Sequence, residues 1–252
     1  MILYFSATGN GKYISEQIAE RTDETCMSIV DCIREDKYSF SDEEIFGIVV
    51  PTYFWRLPRI VAEFLEKLRV ENCGYTFFLA SYGTTTGRAG SMAKDIMAHN
   101  GQSLDAYYSV IMPDTWTPVF DLTDKNRVDK WLSDGKKQLE IVIGNIMSQS
   151  KGNFIDRKLP KWVAAIPAAY MYETERKTKN LSVNKDVCVG CGVCAKKCPV
   201  EAIRMEDGYP VWKSKECEMC LGCLHRCPKF AISYGNGKTV RHGQYKNPYT
   251  RI

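Results

Sequence analysis

The sequence predicts an α/β fold: a doubly wound parallel sheet of five strands, followed by a small α+β domain rich in cysteine. Three observations predict it. Short apolar runs alternate with amphipathic helical patterns through the first 150 residues, which is the pattern of strand–helix–strand units. Eight of the eleven cysteines crowd into the stretch from Cys188 to Cys227. Charge divides the same way: residues 1–150 carry 15 Lys/Arg against 21 Asp/Glu, and residues 151–252 carry 19 against 9, so two units with different partners are expected.

The strands are expected at 2–5, 27–30, 45–50, 75–80 and 107–112. Between them, Ile60, Val61, Phe64, Leu65 and Leu68 form one helical face, and Met92, Ala93, Ile96 and Met97 another. A long helix after the fifth strand carries Val128, Trp131, Leu132, Leu139, Val142, Ile143 and Ile146 on one stripe. Such alternation covers a parallel sheet on both faces and places ligands at the carboxyl ends of its strands. Residues 151–181 mix basic residues with Phe154, Trp162, Ile166, Tyr170 and Tyr172, so a partly helical strap is expected to join this domain (1–150) to a second one (182–235). A basic tail occupies 236–252.

Composition sets limits. With 44% apolar and 25% charged residues, the chain is neither disordered nor fibrous. Its most apolar stretch, from Trp162 to Met171, is half the roughly 20 residues a membrane span needs. The opening Ile2-Leu3-Tyr4-Phe5 reads as a strand and not as a basic leader, so a cytoplasmic protein is expected.

From Cys188 the sequence repeats itself. Cys188, Cys191, Cys194, Cys198 and Pro199 recur 29 residues later as Cys217, Cys220, Cys223, Cys227 and Pro228, and Ala202-Ile203 recurs as Ala231-Ile232. Clustered thiols without an export signal read as metal ligands before disulfides. Structural zinc prefers two Cys-x-x-Cys pairs across a longer spacer. Three thiols at two-residue gaps followed by Cys-Pro, all of it twice, instead suit two [4Fe–4S] clusters, the fourth cysteine of each run ligating the other cluster. One cluster would take Cys188, Cys191, Cys194 and Cys227, the other Cys217, Cys220, Cys223 and Cys198. Gly190, Gly192 and Gly222 would let amides approach the sulfides. This segment resembles bacterial-type two-cluster ferredoxins.

The second signal is Ser6-Ala7-Thr8-Gly9-Asn10-Gly11-Lys12, between the first strand and the first helix. Its hydroxyls, glycines and successive amides suit a phosphate at a helix start, although the pattern matches neither the dinucleotide fingerprint nor the triphosphate loop. Thr52-Tyr53-Phe54-Trp55-Arg56 follows the third strand and Ser81-Tyr82-Gly83 the fourth, at the same sheet edge. Together these loops would hold a flat ring and its phosphate. The first 150 residues thus resemble flavodoxin, and the whole chain is similar to flavodoxin–ferredoxin fusion proteins of anaerobic prokaryotes. That resemblance implies a flavodoxin-like sheet and FMN. Its phosphate would lie on Ser6, Thr8, Gly9, Asn10 and Gly11, with Lys12 beside them. Its ring would lie between Thr52, Tyr53, Phe54 and Trp55 on one side and Ser81, Tyr82 and Gly83 on the other. Gly11 stands where flavodoxins usually carry Thr or Ser, and Trp55-Arg56 where they usually carry a glycine.

The expected function is electron transfer between two [4Fe–4S] clusters and FMN, with a redox protein as donor or acceptor; the alternative is an FMN-dependent reductase of a small acceptor. Arg56 would either sit beside the ring and stabilise its reduced, anionic form or be a surface arginine answering the acidic first domain. His225 would tune a cluster by hydrogen bonding, and Cys26, Cys32 and Cys73 would be small core residues. No nucleic-acid motif accompanies the basic second half, whose charge would offset the anionic clusters or dock an acidic partner.

Overall fold

The computed structural model describes residues 1–156, 169–235 and 237–252. Its first part alternates strand and helix in the expected order. The elements are β1 (Ile2–Tyr4), α1 (Asn10–Thr22), β2 (Cys26–Ser28), α2 (Ile29–Arg34), β3 (Ser39–Ser41), β4 (Ile45–Pro51), α3 (Arg59–Lys67), β5 (Arg69–Glu71), β6 (Tyr75–Tyr82), α4 (Ala89–His99), β7 (Ala106–Ile111), α5 (Lys125–Met147) and β8 (Gly152–Asn153). The main sheet is ordered β2-β1-β4-β6-β7-β8 and is parallel throughout. Its topology reverses at β1, and such a switch point opens a crevice at the carboxyl ends of the strands.

Period-two alternation sends successive side chains to opposite faces. Ile2, Tyr75, Phe77 and Leu79 pack under α1 and α5, while Leu3, Phe46, Phe78 and Ala80 pack under α2, α3 and α4. The five expected strands become six. Gly152–Asn153 adds a two-residue edge that pairs with β7 through backbone alone, so no apolar pattern announces it. A separate parallel pair, β3 with β5, has three residues per strand, with one apolar residue in each, Phe40 and Val70, turned to the core.

The second part is built from small pieces. Residues 169–175 form α6. They lead to β9 (Leu181–Val183), α7 (Val193–Lys196), β10 (Ile203–Glu206), β11 (Tyr209–Trp212), α8 (Gly222–Arg226) and β12 (Ile232–Tyr234), and α9 (Lys238–His242) follows. β10 pairs antiparallel with β11, and β12 with β9. The duplicated sequence gives duplicated contacts, since the Ala202 amide donates to Cys198 Sγ and the Ala231 amide to Cys227 Sγ. Of the strap, Phe154 stacks on Tyr108 with ring centroids 5.3 Å apart, Tyr172 is buried and Tyr170 is exposed. Trp162 and Ile166 lie outside the described residues. Residues 244–252 run back over the first part, with Tyr245 and Asn247 buried against α1. Among the described residues, no helix is long and apolar enough to cross a membrane.

Candidate functional site

A cavity of about 290 Å³ opens at the carboxyl ends of β1, β4, β6 and β7. Ser6, Thr8, Asn10 and Gly11 line one end of it, Thr52 to Trp55 one wall and Ser81 to Gly83 another. The three loops singled out in the sequence therefore meet. In the first loop, Ser6 Oγ accepts from the Gly9 amide and α1 begins at Asn10, leaving its first-turn amides without intrahelical acceptors. Gly11 replaces a hydroxyl residue for a steric reason: a Cβ there would stand 2.8 Å from the Phe5 carbonyl oxygen.

The second loop is a tight hairpin turn in which Tyr53 and Arg56 exchange both backbone hydrogen bonds at 2.9 Å. Phe54 and Trp55 occupy its centre at φ 44° and 63°. Two bulky residues in the left-handed region cost roughly 1–3 kcal/mol each, strain that clusters at ligand sites. Here it turns two aromatic residues toward the cavity. Thr52 Oγ1 is buried on the same wall with no hydrogen-bond partner among the described residues, a polar atom suited to a ring heteroatom. Aromatic walls, an orphaned hydroxyl and a helix start at one end fit a phosphorylated flat cofactor.

Three expected residues stand elsewhere. Lys12 Nζ donates to the Arg251 carbonyl at 2.6 Å, and its side chain leaves the cavity. Arg56 closes the hairpin through its backbone and is not among the residues that line the cavity. Gly9 packs beneath Asn247, Thr250 and Ile252. Asn10 reaches the wall, but its amide is held by Pro113 O, Tyr245 Oη and Asn247 Nδ2.

A fourth wall was missed: Pro113, Asp114, Thr115 and Trp116, after β7. The rule that ligands sit beyond strand carboxyl ends pointed to this loop as much as to the others. A Cβ on Gly83 would lie 2.3 Å from Asp114 Cβ, so glycine is what admits this carboxylate. Burial pushes the Asp114 carboxyl up to about 6, against one opposing hydrogen bond from the Trp116 amide. Trp116 meets Phe54 edge to face at 5.2 Å. His225 anchors the loop instead of tuning a cluster. Its Nδ1 accepts from the Tyr245 amide, so Nε2–H donates to Thr115 O, and burial lowers its pKa to about 4.

The eight repeated cysteines divide between two smaller cavities. Cys188, Cys191, Cys194 and Cys227 line one; Cys198, Cys217, Cys220 and Cys223 line the other. Each quartet crosses the repeats as the spacing predicts. Among the described residues, no three His, Cys, Asp or Glu side chains converge as ligands of one ion would. A cubane cluster instead receives a thiolate at each of four separated corners, and thiols spread around a cavity suit that donor set. The first quartet faces solvent through Cys191, whereas burial raises Cys217 to about 11 and Cys220 to about 12. Met219, Cys220 and Leu221 line the large cavity as well as the second quartet's.

Glu218, beside Cys217, is buried and binds the other half of the molecule. Its carboxylate accepts from the amides of Arg59 and Ile60 at 2.8 and 3.3 Å and from Tyr172 Oη at 2.7 Å. It thus caps α3, whose preceding residue, Pro58, has no side-chain group to do so.

The flavodoxin domain family matches residues 1–140, more than half of the sequence. The chain belongs to that family. A 4Fe-4S dicluster domain matches residues 180–228, so the protein is a flavodoxin–ferredoxin fusion. An uncharacterized ferredoxin of Methanocaldococcus jannaschii is 42% identical over 59 residues, 22% of this chain and 32% of its own. A ferredoxin of Streptomyces griseus is 40% identical over 60 residues, 23% and 54%. Pyruvate synthase subunit PorD of Methanothermobacter marburgensis is 54% identical over 28 residues, 11% and 35%. The matched segments thus span about a third to a half of these relatives. Among solved structures, the Trp repressor binding protein of Bacillus subtilis aligns over 60% of this chain and 100% of its own, with 13% identity and a TM-score of 0.36. The flavodoxin domain implies FMN, and the ferredoxin domain [4Fe–4S] chemistry.

Proposed function

We propose that this fusion passes electrons between two [4Fe–4S] clusters and FMN in the redox metabolism of an anaerobic cytoplasm. One observation carries the reading: Cys220, with its neighbours Met219 and Leu221, forms part of the second thiol quartet and of the FMN cavity wall at once. The bound groups would supply one-electron chemistry at the thiols and one- or two-electron chemistry in the cavity. The chain's own residues set the order. Cys188, Cys191, Cys194 and Cys227 would hold the outer cluster, and Cys198, Cys217, Cys220 and Cys223 the inner one. Ser6, Thr8, Asn10 and Gly11 would receive the FMN phosphate at the start of α1, while Thr52 to Trp55, Ser81 to Gly83 and Trp116 enclose the ring and exclude water. The redox protein partner would dock where Cys191 and Val189 are exposed. The likeness to a pyruvate synthase subunit supports a larger oxidoreductase as that partner.

A small-molecule acceptor above the ring is the second reading. It is favoured by the exposure of Val119 and Met171 on the cavity wall. Anaerobic iron, sulfide and flavin analysis tests the cofactor assignment, with about eight iron, eight sulfide and one FMN expected. Stoichiometric zinc without sulfide, or FAD on extraction, would refute it. Stopped-flow reduction by a reduced ferredoxin then tests the order, since Cys191→Ser should slow flavin reduction while leaving the flavin bound.

A further inference from the structure

A separate cavity of about 170 Å³ lies on the other side of the β1 loop from the FMN cavity, and the two share Phe5, Ser6, Ala7 and Cys220. It stands at the carboxyl ends of β1 and β2, where Tyr4 and Ser28 line it, a position at which open α/β sheets take ligands. Its wall is strongly cationic. Lys12, Arg34, Lys197, Arg226 and Arg251 line it, against one acidic side chain, Asp31, and the last residue of the sequence, Ile252.

These cations are poorly neutralised. Arg34 pairs with Asp31 at 3.6 Å and Lys12 with Glu16 at 3.5 Å. Among the described residues, Lys197, Arg226 and Arg251 have no carboxylate within ion-pair reach. Arg226 spends its terminal nitrogens on the carbonyl oxygens of Lys197 and Ser6, both at 3.2 Å, and its Nε is buried with no hydrogen-bond partner. A buried guanidinium N–H without an acceptor is costly unless something else accepts from it. The five cations come from α1, α2, α8, the loop after α7 and the terminal segment, so the fold gathers like charges from five places that would otherwise repel.

We propose that this cavity binds the multiply charged phosphate group of a small ligand, a pyrophosphate or a phosphate ester. Planar guanidinium forks match phosphate oxygens in pairs, and an excess of cations suits an anion carrying more than one charge. The bound group would lie beside the inner thiol quartet and behind the FMN phosphate loop, separated from the loop's own anion site by Phe5, Ser6 and Ala7. The site is independent of the electron-transfer reading and would stand if that reading failed.

Calorimetric titration of the fully loaded protein with sodium pyrophosphate in a phosphate-free buffer tests it, with the flavin spectrum recorded alongside. Saturable one-site binding is expected, weaker at high salt, weaker for orthophosphate, and without loss of flavin. Arg34→Gln and Arg251→Gln lie on the cavity wall away from the thiols, and each should weaken binding at least tenfold while iron and flavin contents stay constant. Absence of saturable binding would overturn the proposal. Equal affinity in both variants, or binding only as FMN is displaced, would do so too.

Discussion

The two halves of this molecule solve the problem of holding a redox group in opposite ways. In the flavodoxin half, a six-stranded sheet is covered on both faces by fully buried side chains such as Phe46, Phe77, Phe78 and Ile14, and the cavity is a by-product of strand order. In the cysteine-rich half, the packed residues are few: Leu221, Leu224, Ile232 and Tyr234 in one cluster, Cys198, Ala202 and Ile203 in another. There the thiols themselves occupy the centre, and burial holds several of them well above the usual thiol range. Regions this small seldom fold on apolar burial alone. The first half should therefore be a site that precedes its cofactor, and the second a fold that depends on its metal.

Metal removal gives the largest test of that contrast. Chelation and acid-labile sulfide loss should abolish amide protection across 181–234 while the sheet stays protected. Hydrogen exchange that melts both halves together would erase the distinction. Within the second half, Cys227→Ser should cost about four of eight iron and leave the cluster on Cys217, Cys220 and Cys223, with Cys198→Ser doing the converse. Losses that track each linear repeat would contradict the crossed quartets seen around the two cavities.

In the flavodoxin half the effects should be on binding and not on folding. Thr8→Glu sets a carboxylate beside the expected phosphate, where like charges cost several kcal/mol, and should weaken FMN binding roughly 100-fold. Riboflavin, lacking the phosphate, should be much less affected, and fluorescence titration of both flavins would show it. Asp114 offers a subtler handle. Its folded pKa, about 6, lies above the ordinary 3.8, so the folded state retains a proton that the unfolded chain has lost. Its contribution to stability is present below about pH 4 and declines as pH rises through 6. Asp114→Asn should make the flavin-free protein more stable than wild type at pH 8, by on the order of 1–2 kcal/mol, with the gap closing toward pH 4. Thermal melts across that range give the answer. The smallest effect belongs to Arg56: held off the cavity wall, its change to Gln should leave the flavin midpoint where it was, and a shift of about 30 mV, 1.4 kcal/mol for two electrons, would return it to the ring.

What was legible followed from periodicity and spacing. Alternation placed five strands, and the 29-residue repeat marked the eight thiols that gather around two cavities, because both are local patterns that the fold must obey. What escaped was set by distant chain segments. The edge strand at Gly152–Asn153 pairs by backbone and leaves no mark on side-chain pattern, and β3 and β5, with one apolar residue each, Phe40 and Val70, are too short to show a period. Arg56 and Lys12 sit in the right loops but do not line the cavity, and which residues of a loop reach a cavity depends on what packs behind it. The segment 244–252 read as a basic tail because its partners, Asn10 and Thr8, lie more than 230 residues upstream. The Asp114 loop carries no motif of its own, and only its place after the fifth strand marks it as a cavity wall.

The cap on α3 carries one more consequence. Glu218 stands one residue from Cys217 and two from Cys220, and its carboxylate holds the start of the helix that follows the Tyr53–Arg56 hairpin. Whatever orders the cysteine loop also orders that helix start, and whatever steadies the hairpin steadies the carboxylate in return. Affinity for iron–sulfur and affinity for flavin would then be heterotropic partners in one linkage cycle: whatever factor one contributed to the other would be returned in full, and maturation of the protein would be cooperative.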